Sequence, residues 1–334
     1  MLFTHDLFAK YVFRNLDRAR EELRHAVGPE VAALIDWDTL TPGPTELVDE
    51  ALAARYTDLR FSALLLGTPI HLELLFEHQS RIDPWMPVRF FCHTGAIWNE
   101  VRQTREVGDV PPEVPLVLSV LLSCAARPWS GPLHLWQVIR GGAILQRLAP
   151  SLLPTLPILV DDLQEASDEE IKARPQSPEV RLALLLMKHV RRGDAVRVLE
   201  EEGELVQQAR EDVLREEVRY VLHADPQASI ERVGTALKRH LGDRGEEVVM
   251  TGQQLIQQGI EQGLQQGIEK GIEKGRAEAR AALVRVLFRT LATRGVAVPD
   301  DIRDRIVACT DLDCLERWAE RALTEPSAAQ VIAQ

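Results

Sequence analysis

The sequence predicts an α/β N-terminal half followed by an all-helical C-terminal half, and three observations carry that prediction. Residues 56–66 and 70–79 alternate polar and apolar side chains across Gly67-Thr68-Pro69, the period of two half-buried strands joined by a turn. A continuous apolar run bounded by prolines, Val114 to Leu122, has the length of a buried strand. From Ser167 onward Glu, Lys, Arg, Leu and Ala dominate at helical spacing.

The whole composition agrees with a folded chain. Its 334 residues are 45% hydrophobic and 27% charged, the balance of globular proteins rather than of disordered tails. At roughly 100 to 200 residues per domain the length favours two domains over one. A net charge of -12, from 51 acidic against 39 basic side chains, argues against a chain-wide electrostatic grip on nucleic acid. The four cysteines form no C-x-x-C pair, so neither a zinc ribbon nor a disulfide framework is expected, and a reducing cytoplasm fits best. The N-terminus lacks the basic start and uninterrupted apolar stretch of a signal peptide. No apolar run reaches the ~18 residues needed to cross a bilayer, so no membrane is expected as a partner.

From Asp6 to Ala26, Leu7, Phe8, Tyr11, Val12, Leu16, Ala19, Leu23 and Ala26 recur at three- and four-residue steps, which predicts one amphipathic helix. A short helix near Pro29 to Leu34 follows. The cluster Thr41-Pro-Gly-Pro-Thr45 then punctuates the chain before a small strand around Glu46 to Val48. The two alternating runs make a hairpin. Asp83 and Pro84 supply a cap and a first helical residue for a helix running to about Glu106. Pro150, Pro154 and Pro157 break the chain before a domain boundary near Asp161 to Ser167. Helical segments are expected around 178–192, 194–202, 204–224 and 229–241. Residues 277–294 form a further helix, and 298–328 a small helical hairpin.

Residues 252–276 repeat glycine every four positions, at Gly259, Gly263, Gly267, Gly271 and Gly275. Each glycine inside a helix costs ~1 kcal/mol relative to alanine. Two readings stand: small residues that let a second helix approach closely, as in self-association, or a tolerated flexible linker. The expected organisation is 1–165, 166–250, 251–276 and 277–334.

A hairpin turning symmetrically about Gly67 and Thr68 places Asp58 opposite Glu77. Like charges directly opposite destabilise a strand pair, so something should compensate. A divalent cation would do so, because carboxylates and nearby oxygens are the ligands that Mg2+ prefers and such ions activate water. Gln79 lies two residues on, within reach of the same site. The residues alone leave a second reading open, a solvent-facing polar side with Asp58 paired to Arg60. His71, Glu73, His78 and His93 lack a recurring ligand spacing, and ordinary packed or exposed histidines account for them better than zinc. No P-loop, nucleophile elbow or dinucleotide fingerprint is present.

The words HDLFAKYVF (5–13), IDWDTL (35–40), LVDEALAARYTDLRFS (47–62), LLFEHQSRIDPWMPVRF (74–90) and PLVLSVLL (115–122) resemble, in order and spacing, the Rpn (recombination-promoting nuclease) family, also described as YhgA-like putative transposases. The resemblance covers about residues 1 to 160, and TDLRFS and FEHQS are its most specific words. It implies a PD-(D/E)xK restriction-endonuclease-like fold, a mixed sheet flanked by helices, and metal-dependent DNA cleavage linked to recombination or transposition. It also implies that Asp58 and Glu77 bind Mg2+ (or Mn2+ or Ca2+), with the backbone carbonyl of His78 completing the shell. Gln79 stands where the superfamily has lysine; it can orient water by hydrogen bonds but supplies no charge. Asp6 is a weaker candidate. SCAARPWSGP departs from the family's usual turn after the strand at 115–122, though Trp129 corresponds in position to its tryptophan. Arg81 and Arg89 belong to a basic set, 81–105, placed either on DNA phosphate or on a solvated face. The expected protein is thus a cytoplasmic Mg2+-dependent DNA endonuclease that self-associates through its C-terminal helices. The competing class is a nuclease-fold interaction module without activity.

Overall fold

The computed structural model describes residues 5–43, 59–77, 82–104, 113–156 and 158–333. The strand expected at 46–48, together with Asp58, His78, Gln79 and Arg81, lies outside the described residues.

The chain opens with two helices where one is expected, α1 (His5–Phe13) and α2 (Leu16–Ala26). The break has a local cause: Asn15 takes an extended conformation, and its side-chain oxygen accepts the N–H groups of Asp17 and Arg18 at 3.1 and 3.2 Å. That N-cap starts a new helix although the apolar stripe continues across it. A short α3 (Gly28–Ala32) leads into β1 (Ile35–Pro42), a strand not anticipated from the sequence. Its alternation is plain, with Ile35, Trp37 and Leu40 buried and Asp36 and Asp38 exposed. The Trp37 indole N–H donates to the Ala32 carbonyl at 2.8 Å, tying the strand to the turn before it.

The hairpin is present as β2 (Leu59–Leu65) and β3 (Thr68–Glu77), but its register is shifted by two residues from the expected one. Leu59 pairs with Leu74 rather than Phe76, and Leu65 with Thr68, so the turn is Leu66-Gly67. Both turn residues have positive φ, 49° and 82°. Such a turn matches the strand twist and demands left-handed backbone at both central positions. The same type of turn on Gly67-Thr68 would place the β-branched Thr68 in that region. The symmetric pairing of Asp58 with Glu77 therefore does not hold.

Next come α4 (Met86–Thr104) and β4 (Leu116–Ser123). The α4 helix starts a little later than expected, after the Asp83 side chain accepts the Trp85 N–H at 2.8 Å. After α5 (Gly142–Leu148) comes β5 (Ile158–Asp162), also unanticipated, where proline-bounded Ile-Leu-Val is followed by two aspartates. The five strands form one mixed sheet in sequence order. The pairs β1–β2 and β2–β3 are antiparallel; β3–β4 and β4–β5 are parallel.

Helices follow: α6 (Asp168–Lys172), α7 (Pro178–His189), α8 (Ala195–Glu201), α9 (Gly203–Gln208), α10 (Glu211–Ala224) and α11 (Ile230–Leu241). The stretch 204–224, expected as one helix, is two, broken at Ala209-Arg210. The main core lies against one face of the sheet and runs from Phe8 and Leu23 through Phe61, Leu72 and Val120 to Leu184, Val218 and Val249. The sheet and the helices after it thus share one interior, and residues 2–257 form one compact unit. The other face carries a smaller core of Met86 and Phe90 from α4 with Leu121 and Ile158.

Residues 258–334 form the second unit. The glycine repeat lies within one helix, α12 (Asp243–Thr293). Then come α13 (Asp300–Ala308), α14 (Leu312–Arg321) and α15 (Ala328–Val331) around Leu287, Leu291, Ile306, Leu315 and Val331. The Arg294 guanidinium closes this unit by donating to the carbonyls of Ala322 and Glu325 at 2.7 and 2.8 Å.

Candidate active site

Antiparallel pairing puts the start of β2 and the end of β3 at the same edge of the sheet. The parallel register then brings the ends of β4 and β5 there as well, with Glu77 paired to Ser123 and Ser123 to Asp162. A row of polar positions thus crosses three strands at their C-terminal ends, the place where parallel strands present ligand sites. Sequence reasoning found Glu77 but missed Ser123 and Asp162. The apolar run before Ser123 masked the hydroxyl, and Asp162 belongs to the unanticipated β5.

Ser123 is fully buried and its hydroxyl has no hydrogen-bond partner among the described residues. A buried polar atom left so is costly, typically ~1–3 kcal/mol, and marks a place where a further partner would be accommodated. The Asp162 carboxylate, 8% exposed, is already engaged: it accepts the Trp129 N–H and, at 3.0 Å, that of Gln164. It therefore fixes the loop after β4, the same loop that departs from the family pattern.

Below this row the face covered by α4 is polar, not solvated. Arg60 is 7% exposed and reaches Glu100 of α4 at 3.5 Å. Ser62 and His71, paired across the hairpin, share a hydrogen bond of 2.9 Å. Burial lowers the His71 pKa, with the Arg60 charge second. His93 of α4 is pushed down to about 4 by burial, then by Arg89 and Arg60, so it is neutral at physiological pH. Arg60 thus reaches the half-buried Glu100 from a buried position on this side of the hairpin, and Asp58 lies outside the described residues. Arg89 pairs with Asp83 at 3.3 Å, and both side chains are 20% exposed.

Of the residues proposed from sequence, Glu77 closes β3 and Asp6 is the second residue of α1, a helix that packs against β3. Asp58 immediately precedes β2 in sequence, and Gln79 and the His78 carbonyl immediately follow β3. Among the described residues no three His, Cys, Asp or Glu side chains converge as metal ligands. The chemistry of the donor set nevertheless fits Mg2+: two carboxylates, a peptide carbonyl and an amide oxygen are hard oxygen ligands, with no thiolate or imidazole to favour zinc. A cavity of about 520 Å³ lined by Arg20, Arg24 and His25 beside α2 and α3 contains none of these residues.

Three comparisons bear on this arrangement. The sequence profile described as "Putative transposase, YhgA-like" matches residues 3–216. The chain is 25% identical over 198 residues to the Recombination-promoting nuclease RpnC of Escherichia coli (strain K12), covering 59% of this chain and 62% of that protein. It is 26% identical over 200 residues to the Recombination-promoting nuclease RpnD of Escherichia coli O157:H7, covering 59% and 72%. It thus spans less than two thirds of the length of RpnC. No solved structure matches. The profile takes in every strand of the sheet and more than half of the chain, and on that ground the chain belongs to the YhgA-like putative transposase family.

Proposed function

We propose that this protein is a Mg2+-dependent DNA endonuclease of the PD-(D/E)xK type that acts in recombination or transposition. The observation that carries the reading is the convergence of the β2 start and the β3, β4 and β5 ends at one edge of a mixed sheet, in a chain similar to two proteins named as recombination-promoting nucleases. Asp58, Glu77 and the His78 carbonyl would hold the ion, with Asp6 a weaker candidate. A bound divalent cation supplies a water of lowered pKa and screens the phosphate charge. Gln79 orients that water through its amide, which donates and accepts but carries no charge. The Arg60–Glu100 pair and His93, which burial keeps neutral, form the floor beside the site.

DNA is the partner, held weakly and in a salt-sensitive manner by a chain of net charge -12. Self-association would run through the C-terminal helical region. There Leu264, Ile268 and Ile272 are exposed at four-residue steps beside the glycines of α12. The absence of any helix long and apolar enough to cross a membrane, among the described residues, accords with a cytoplasmic setting.

Metal-dependent nicking of supercoiled plasmid by the purified protein, compared with Asp58→Ala and Glu77→Ala, tests the reading. Loss of cleavage in both variants is expected. Equal cleavage by all three would refute the site. No cleavage by the wild type in Mg2+, Mn2+ or Ca2+ would favour a nuclease-fold interaction module.

A further inference from the structure

The connection from β4 to β5, residues 124–157, holds no acidic residue, in a chain that has 51. Its formal charges are Arg127, Arg140 and Arg147, and all three are exposed. Among the described residues none of their guanidinium groups has a hydrogen bond or an ion pair. The described arginines of the basic set 81–105 are occupied instead. Arg89 pairs with Asp83, and Arg102 donates to the Asn99 side chain at 2.8 Å.

The connection leaves the sheet at the candidate site. Ser123, the last residue of β4, pairs with Glu77 across the parallel ladder, where neighbouring strands lie about 4.8 Å apart. Arg127 follows Ser123 by four residues, so even a fully extended chain keeps its Cα within about 15 Å of that serine. The loop is also held at this edge. The Trp129 backbone N–H donates to Asp162, the partner of Ser123 on β5, and Trp129 and Leu133 pack on Met86 and Phe90 in the first turns of α4. Gly131 leaves no room for a side chain, since a Cβ there would run into Ile82, five residues beyond Glu77. Further along, the turn at 135–137 contacts α4, and α5 contacts that turn.

A DNA strand cut at this edge carries further phosphates outward, one for each 3.4 Å of helix rise. Cations for them must stand apart from carboxylates, because a chain of net charge -12 repels DNA as a whole. We propose that the β4–β5 connection is the DNA-binding surface of the nuclease site, with Arg127 on a backbone phosphate beside the scissile one and Arg140 and Arg147 extending the contact. The proposal rests on the nuclease reading above and names the residues that hold its substrate. It moves the phosphate contacts from the set 81–105 to this connection.

The test is fluorescence anisotropy of a short labelled duplex with the full chain, in EDTA so that nothing is cut. Each phosphate contact accounts for about a threefold loss of affinity between roughly 50 and 200 mM salt. Arg127→Gln should shrink the wild-type loss about threefold, and the Arg127→Gln/Arg140→Gln/Arg147→Gln triple variant about 30-fold. Arg127→Lys keeps the point charge and should keep the wild-type dependence. Arg239→Gln, the same change of charge on the exposed side of α11, should also leave it unchanged. In plasmid cleavage with Mg2+ the triple variant should need about tenfold more DNA for half-saturation, with its maximal rate within about twofold of wild type. A triple variant with the wild-type salt dependence overturns the proposal, and so does an Arg239→Gln that flattens it as much as Arg127→Gln. A smaller mass by light scattering in the triple variant, at unchanged DNA affinity, would assign the surface to contact between copies and equally overturn it. A wild type that binds DNA through these arginines but cuts none defeats the nuclease reading and leaves the DNA surface standing. One that cuts with a salt dependence indifferent to the arginines defeats the proposal alone.

Discussion

Glu217 offers the sharpest test of the energetics of the first unit. It lies on α10 with no exposed surface, and neither carboxylate oxygen has a hydrogen-bond partner among the described residues. The Arg18 charge acts on it only partly, since Arg18 Nε donates to the Val12 carbonyl at 2.7 Å where it closes the end of α1. Burial, reinforced by the nearby Glu179 carboxylate, holds the Glu217 pKa well above the ordinary value of 4.5. The sign follows from linkage. Between the ordinary value and the raised folded value the folded protein carries a proton that the unfolded chain has lost, so stability falls as pH rises through that window. The slope approaches ~1.4 kcal/mol per pH unit for one such group while the pH lies within that window. Glu217→Gln removes this titration with little change of shape. Urea unfolding at pH 5, 6 and 7 should show the variant near wild type at pH 5 and progressively more stable above it. The residual slope reflects Glu22, whose pKa is likewise raised by burial and by Asp161. Parallel wild-type and variant stabilities across that range would refute the assignment of Glu217 as a neutral buried acid.

Other perturbations follow from the same contacts. The Arg174–Asp161 pair, bidentate at 2.6 and 2.8 Å and about 5% exposed on each side, ties β5 to the segment after α6, so Asp161→Ala should cost ~3–5 kcal/mol in denaturant unfolding. A loss below 1 kcal/mol would show the charge to be solvated. Leu66 sits at φ 49° and is 75% exposed, so Leu66→Gly should raise stability by about 1 kcal/mol, and a destabilised variant would contradict the turn assignment. Gly263→Ala, Gly267→Ala and Gly271→Ala combined should raise the helix content seen by circular dichroism while lowering the mass seen by light scattering. An unchanged or larger assembly would remove the close-approach role of the glycines.

How far the sequence reveals this fold depends on how local each signal is. The hairpin, α4 and β4 were readable because alternation, an Asp-Pro cap and a proline-bounded apolar run are local. The break at Asn15 was not, since the stripe from Phe8 to Leu23 runs through it and only the cap geometry ends α1. β1 alternates at Ile35, Trp37 and Leu40, yet three positions before a glycine-proline cluster were too short a pattern to mark a strand. β5 is five residues long and ends in two aspartates, so its place came only from pairing with β4. The hairpin register differs by two residues because the turn falls on Leu66-Gly67, which alternation alone does not locate. At the site, Glu77 was visible as a carboxylate on a polar strand face, but Ser123 and Asp162 join it only through the parallel ladder.

The claim at the centre of this account is that Asp58 and Glu77 share one divalent cation. Crystals of the full-length protein grown with Mn2+ and measured for anomalous scattering test it most directly. The account predicts a single strong peak with both carboxylates and the His78 carbonyl at bonding distance, lost in crystals of Glu77→Ala. A peak bound by other residues, or carboxylates of Asp58 and Glu77 held farther apart than the ~5 Å that a shared ion permits, would contradict it.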